Sequence, residues 1–247
     1  MKLHKKSNVM KFLKLYITGL LTVIFLAGTA TAGVRPQLTR IVAYAQDRET
    51  PVDVINDSQE TYMVQAWLED LRGNDNDLPL VLTPPVMKLE AKKQGKFRLV
   101  VLRGGIAKDR ESAYWLSLQE IPPKAGSANK LVIAVRSRLK VFVRPDGLNS
   151  AGARDAVKQI RWSLEKDGNA VWLKASNPTP YFVSFARLSV GAGKGITLED
   201  RHRMPPPFGS ERYRLPASVN HTSVTVTWSG IHDWGGAGEE YRAELIP

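Results

Sequence analysis

Beyond residue 33, apolar positions fall in short runs, many alternating with polar ones, and Pro, Gly and Asn-Asp steps separate them. Side chains of a strand point alternately to opposite faces, so a period of two predicts half-buried strands. No heptad and no long 3.6-residue pattern competes with that reading. Strands are predicted over Arg40 to Ala45, Val52 to Ile55, Tyr62 to Glu69, Lys96 to Leu102, Tyr114 to Ile121 and Leu131 to Val143. A second set covers Ile160 to Glu165, Ala170 to Ala175, Tyr181 to Val190, Glu211 to Leu215, Ser223 to Ser229 and Glu240 to Ile246. Between two of these runs lies Lys166-Asp167-Gly168-Asn169, where Asp-Gly signals a tight hairpin.

Between the two sets, after Pro145, Asp146 to Gly152 carries turn residues without apolar alternation, which predicts a hinge. The expected fold class is all-β: two immunoglobulin-like β-sandwich domains, 33–148 and 149–247, joined by a hinge with a cleft between them. The Cys, Trp, Cys signature of antibody domains is absent, so the architecture alone is implied. One run is long for a strand: Leu131 to Val143, where typical strands have roughly 5 or 6 residues. Leu131, Ile133 and Val135 share one face of it, and by default such a face packs on the chain's own core.

The first 32 residues differ in character. Lys2, Lys5, Lys6, Lys11 and Lys14 precede an apolar run from Leu15 to Gly28 and then Ala30-Thr31-Ala32, the pattern of a secretory signal cleaved after Ala32. Its loss takes five lysines and no acid, so the formal charge falls from +11 to +6. The remaining Lys and Arg are scattered over strand-like segments rather than gathered in a stripe, which speaks against nucleic acid as a partner. The chain has no cysteine, so no disulfide holds it after export to an oxidising compartment.

Several stretches resemble, in order, the periplasmic pilus-assembly chaperones of the chaperone-usher pathway. They are Leu38-Thr39-Arg40, Ala66-Trp67-Leu68-Glu69, Thr83-Pro84-Pro85, Asp109-Arg110-Glu111-Ser112, Glu120-Ile121-Pro122-Pro123, Leu139-Lys140-Val141-Phe142-Val143-Arg144-Pro145, Asn177-Pro178-Thr179-Pro180-Tyr181 and Asp233-Trp234-Gly235-Gly236. The short Pro122 to Asn129 segment and the lack of cysteine match the family's short-loop branch.

The resemblance implies a periplasmic protein that lends a β-strand to pilus subunits and hands them to an outer-membrane usher. It places a subunit's terminal carboxylate against Arg40 and Lys140, and it turns Leu131, Ile133 and Val135 into the groove left by the subunit's missing strand. On that register Val132, on the opposite face, would look into the chain's own core. Glu111, Arg144 and Asp233 match a trio that bridges the two domains, and loss of both acids together is expected to cost less than loss of the cation. Self-association of the free chain through its long strand is compatible with this reading.

Enzymatic readings find little support. His202, His221 and His232 are the histidines outside the leader, none at ligand spacing to another, so no metal site and no catalytic residue is expected. Gly191-Ala192-Gly193-Lys194-Gly195 lacks the Walker spacing and reads as a hairpin turn. Neither a cofactor nor a small-molecule substrate is implied. The alternative in view is a periplasmic sandwich module that binds sugar or a folded protein with its loops.

Overall fold

A computed structural model of the chain describes residues 33–123, 133–168, 170–191, 195–217, 219 and 224–245. The first lobe stacks two sheets. One has the order β1-β3-β7-β5, from β1 (Val34–Pro36), β3 (Thr50–Asn56), β7 (Gln94–Val101) and β5 (Leu80–Thr83). The other has the order β2-β9-β8-β4-β6, from β2 (Arg40–Tyr44), β9 (Arg136–Arg144), β8 (Ser112–Ile121), β4 (Tyr62–Asp70) and β6 (Val86–Leu89). The alternation seen in the sequence is what fills the space between them. Val52 and Val54, Val64 and Ala66, Phe97 and Leu99, Leu116 and Leu118, and Leu139, Val141 and Val143 all point inward and are buried.

The second lobe repeats the plan. β10 (Arg161–Asp167), β11 (Ala170–Ser176) and β14 (Ser210–Arg214) form one sheet; β13 (Ile196–Thr197), β12 (Phe185–Val190), β15 (Val224–Ile231) and β16 (Ala237–Leu245) form the other in that order. Trp162 sits among Phe185, Tyr213 and Trp228 at ring separations of 5.3 to 6.5 Å. The Asp-Gly hairpin is present: Asp167 pairs with Ala170, and Gly168 takes φ +57°, the left-handed conformation that a tight turn needs.

Two buried asparagines mark the likeness of the lobes. Asn56, at the end of β3, donates to the carbonyls of Glu60, Leu89 and Glu90 and accepts from Ser58. Asn177, just after β11, donates to Tyr181, Pro205 and Pro206 and accepts from Thr179. In each case one side-chain amide satisfies a turn whose backbone groups would otherwise be buried unpaired.

Three features differ from the sequence reading. The stretch read as a hinge runs into a helix, α1 (Ser150–Lys158), whose first three residues it supplies, capped by the Asn149 side chain, which accepts the Gly152 N–H at 2.9 Å. Two turns are too short for a periodicity signal, and Asn, Ser and Gly read equally well as a cap or as a loop. α1 buries Ala156 and Val157 and accepts the Trp228 indole N–H at the Val157 carbonyl. The short strands β1, β5, β6 and β13 were not predicted, being too short to show alternation. The long run also yields a shorter strand: β9 begins at Arg136, Ile133 to Val135 lie outside the ladder, and Leu131 and Val132 lie outside the described residues.

Candidate functional site

β9 carries the groups that meet the second lobe. Its last residue, Arg144, is 2% exposed in its side chain and donates Nε–H to Glu111 Oε1 at 2.8 Å. Nη1 and Nη2 donate to the two oxygens of Asp233 at 2.7 Å each. Glu111 precedes β8 and Asp233 follows β15, so the guanidinium joins one acid from each lobe. Such two-pronged pairs are the stronger class of hydrogen bond. Glu111 also accepts the Phe182 N–H at 2.8 Å, and its own N–H donates to the Pro180 carbonyl at 2.8 Å. Tyr44 and Ser150 hydroxyls meet at 2.9 Å, and the Tyr181 hydroxyl accepts the Asn149 N–H at 3.0 Å.

Burial acts on the three charges unequally. It pushes the Glu111 carboxyl up to about 7, because the loss of water outweighs the pull of Arg144 and of the Phe182 N–H. Asp233 is more open; burial works against its charge too, but hydrogen bonds from Arg144 and Ser150 prevail and lower its pKa. Arg144, desolvated but served by both acids, holds its proton more firmly than a free arginine.

Arg40 and Lys140 stand side by side, the first residue of β2 paired with Lys140 in a parallel ladder. Arg40 is 7% exposed, its guanidinium lies over Phe142, and its Nε has no acceptor among the described residues. Nη1 reaches only the Ile231 carbonyl at 3.5 Å. Lys140 donates to the His202 carbonyl at 3.1 Å. Burial, and then the charge of Arg40, lowers Lys140 to about 8. Two cations with one unpaired, buried N–H between them form a site whose fitting occupant is an anion. The described residues contain no cluster of His, Asp or Glu arranged to hold a metal ion.

The parallel partner β2 covers only Lys140 to Arg144 of β9. On its other side β9 pairs with β8 from Arg136 onward. Among the described residues, no strand pairs with the second edge of Arg136 to Leu139. The backbone parity can be read from two bonds: the Val135 carbonyl accepts from Glu120 on β8, whereas the Arg144 carbonyl accepts from Ala45 beside β2. Groups alternate along a ladder, so odd residues face β8, and Arg136 and Arg138 present their N–H and C=O to the open edge.

Side chains alternate in the other sense. Leu139, Val141 and Val143 face the core, and the same row continues outward to Val135, 39% exposed, and Ile133, 67% exposed. The core-facing row and the proposed groove-facing row are therefore one row that runs out beyond its own sandwich. Leu131 and Val132, which the sequence reading assigned to the two faces of this segment, lie outside the described residues.

That outer face holds an arrangement the sequence did not reveal. Arg136 lies over Trp67 at 4.6 Å and Arg138 over Trp115 at 4.5 Å, and both arginines bond Glu69 Oε2, at 3.1 and 3.3 Å. Trp67 and Glu69 belong to the quoted Ala66 to Glu69 stretch, so the signal was present, but cross-strand neighbours need a register to be seen.

Known proteins share this layout. Residues 33–149 match the model of the pili and flagellar-assembly chaperone PapD N-terminal domain, and residues 155–242 match the pili assembly chaperone PapD C-terminal domain. The probable fimbrial chaperone LpfB of Escherichia coli O157:H7 is 32% identical over 233 residues, 93% of this chain and 94% of its own length. Among solved structures, the E. coli chaperone DraB superposes with a TM-score of 0.71 at 29% identity, covering 86% of this chain and 98% of DraB. The SafB chaperone of Salmonella enterica, solved in complex with the SafA pilin, gives a TM-score of 0.73 at 26% identity over 87% of this chain and 98% of that one. The chain belongs to the PapD-like pilus-assembly chaperones.

Proposed function

We propose that this protein binds pilus subunits in the periplasm by donating the open edge of β9, pins the subunit's C-terminal carboxylate between Arg40 and Lys140, and passes the subunit to an outer-membrane usher. The observation that supports this reading is the position of the open edge: it stops where β2 begins, at the two cations. A carboxylate held at Lys140 fixes the direction of the guest strand, because its chain must end there. The guest then runs parallel to β9, as β2 does beyond it. Its backbone meets the free groups of Arg136 and Arg138, which removes an edge prone to aggregation in both partners.

Leu131, Ile133 and Val135 would enter the apolar groove of the subunit, each large aliphatic side chain contributing roughly 1.5 to 3 kcal/mol when fully buried. The Glu111, Arg144 and Asp233 bridge would hold the two domains, 33–148 and 149–247, at the angle that keeps the cleft open. The leader at 1–32 would direct export and be removed. Family membership favours this function over a loop-based module for sugar or a folded protein. Co-expression with a pilus subunit in the periplasm tests it: a tagged chaperone should retain the subunit, and Arg40→Ala should weaken retention by about tenfold or more while leaving the protein folded.

A further inference from the structure

Glu120 is the one buried residue of Glu120-Ile121-Pro122-Pro123, 3% exposed, and the function above leaves it unused. Its Oε2 accepts the Val34 N–H at 2.8 Å and its Oε1 accepts the Val135 N–H at 3.0 Å. Its own N–H donates to the Val135 carbonyl at 3.1 Å. One side chain thus ties the start of β1, in one sheet, to the point where the lent segment leaves the other sheet. Among the described residues no Lys or Arg forms an ion pair with it. A carboxylate offers about four acceptor positions, and two amides fill only half.

Gly33 lies against this carboxylate. A Cβ on Gly33 would fall 2.7 Å from Glu120 Oε2 and 2.7 Å from the Tyr62 ring, so a side chain has no room there. The Gly33 carbonyl accepts the Asp57 N–H at 2.9 Å, which holds the residue in place. Tyr62 is the other titratable group facing the site from β4, and its phenol is raised by burial and by the charges of Glu120 and Glu60. Among the described residues the groups that face the carboxylate are the Val34 and Val135 amides and the Tyr62 phenol, and none of them carries a positive charge.

We infer that the carboxylate's cation is the α-ammonium of Gly33 itself, created by cleavage after Ala32, and that it completes a clasp through Glu120 that fastens the root of the lent segment at Val135. Hydrolysis of the Ala32–Gly33 bond by the signal peptidase of the export route consumes one water. It leaves a carboxylate on Ala32 and an amine on Gly33, which takes up a proton. The unprocessed chain has an amide there and offers no charge. Export processing and readiness of the strand are thereby linked, and Glu120 acts as a positioning residue. The inference rests on the leader reading and, for its consequence, on the strand-lending reading.

The test uses the exported protein, with its N-terminus sequenced, labelled for NMR, as wild type and as Glu120→Gln. The Gly33 amine should titrate about one unit or more above its ordinary range of roughly 7.7 to 8.0 in wild type and return to that range in Glu120→Gln. Val135 amide exchange should be about tenfold faster in the variant, in line with one unit of lost interaction. If Glu120→Gln does not fold, a chain without the leader that begins with one extra alanine before Gly33, its N-terminus sequenced, keeps the carboxylate and displaces the charge. Its Val135 exchange should still exceed that of wild type. A mature chain that begins elsewhere, an amine that titrates alike in both proteins, or Val135 exchange unchanged in the extended chain overturns the inference. Subunit retention by wild type is read separately; its failure removes the strand-lending reading and leaves the titration as the measure of the clasp.

Discussion

Arg144 and Asp233 meet through two parallel hydrogen bonds of 2.7 Å, joining the end of β9 in the first lobe to the loop between β15 and β16 in the second. Since Arg144 is buried and also serves Glu111, its removal strands an acid out of water. Breaking a buried pair by deleting one partner costs about 3–5 kcal/mol. Arg144→Ala should lower the melting temperature by about 6 to 20 °C and widen the distribution of lobe angles in small-angle scattering. Removing both acids would strand the cation in turn, so Glu111→Gln with Asp233→Asn should be no milder, contrary to the expectation from sequence. An unchanged melting curve for Arg144→Ala would show that the bridge is incidental.

Arg40 and Lys140 are expected to act on binding and not on stability, because among the described residues neither is paired with an acid of its own. Hydrogen bonds to charged groups are worth about 1.5–3 kcal/mol. Arg40→Ala and Lys140→Ala should each weaken retention of a subunit, or of a peptide with its C-terminal sequence, by about tenfold to a hundredfold. Amidating the peptide's carboxylate should cost wild type a similar factor and cost the variants little. Equal affinity for free and amidated peptides would contradict the carboxylate anchor.

Lys140 also sets a pH dependence. Its pKa of about 8 in the free protein falls below the usual lysine value through burial and the neighbouring Arg40, and a bound carboxylate would raise it again. Binding then takes up a proton above pH 8. Affinity should be level near pH 6 to 7 and fall by up to about tenfold per unit above 8. Titration calorimetry in buffers of different ionisation enthalpy measures the uptake directly. A profile that is flat to pH 9.5 would place the carboxylate away from Lys140.

The shared row of β9 predicts a contrast between two positions of like chemistry. Ile133 is 67% exposed and Val141 fully buried, although both belong to the odd-numbered face. Ile133→Asp should leave circular dichroism and melting unchanged yet abolish subunit retention, since the groove would receive an unpaired carboxylate. Val141→Asp should prevent folding. Loss of fold in Ile133→Asp would mean that the row is part of the chaperone's own core.

The sequence showed the sandwiches well because their strands are half-buried and alternate cleanly, as in Tyr62 to Glu69. It showed Arg40, Lys140, Glu111, Arg144 and Asp233 only through resemblance, since charges separated by tens of residues meet only once a register exists. The α1 helix escaped because Asn149-Ser150 reads as turn chemistry, and a cap uses the same side-chain-to-backbone bond as a turn. Glu120 escaped for a different reason: a glutamate in an otherwise alternating strand looks solvated, and its amide partners, Val34 and Val135, arrive from both ends of the lobe.

Hydrogen exchange along β9 tests strand donation most directly. The amides of Arg136 and Arg138 face the open edge, whereas those of Ser137 and Leu139 face β8. In the free chaperone the first two should exchange fast and the second two slowly. Binding of a subunit should slow Arg136 and Arg138 by several powers of ten, because their N–H groups gain backbone partners, and should leave Ser137 and Leu139 slow. If Arg136 and Arg138 exchange equally fast with the subunit bound, β9 is not the strand that is lent.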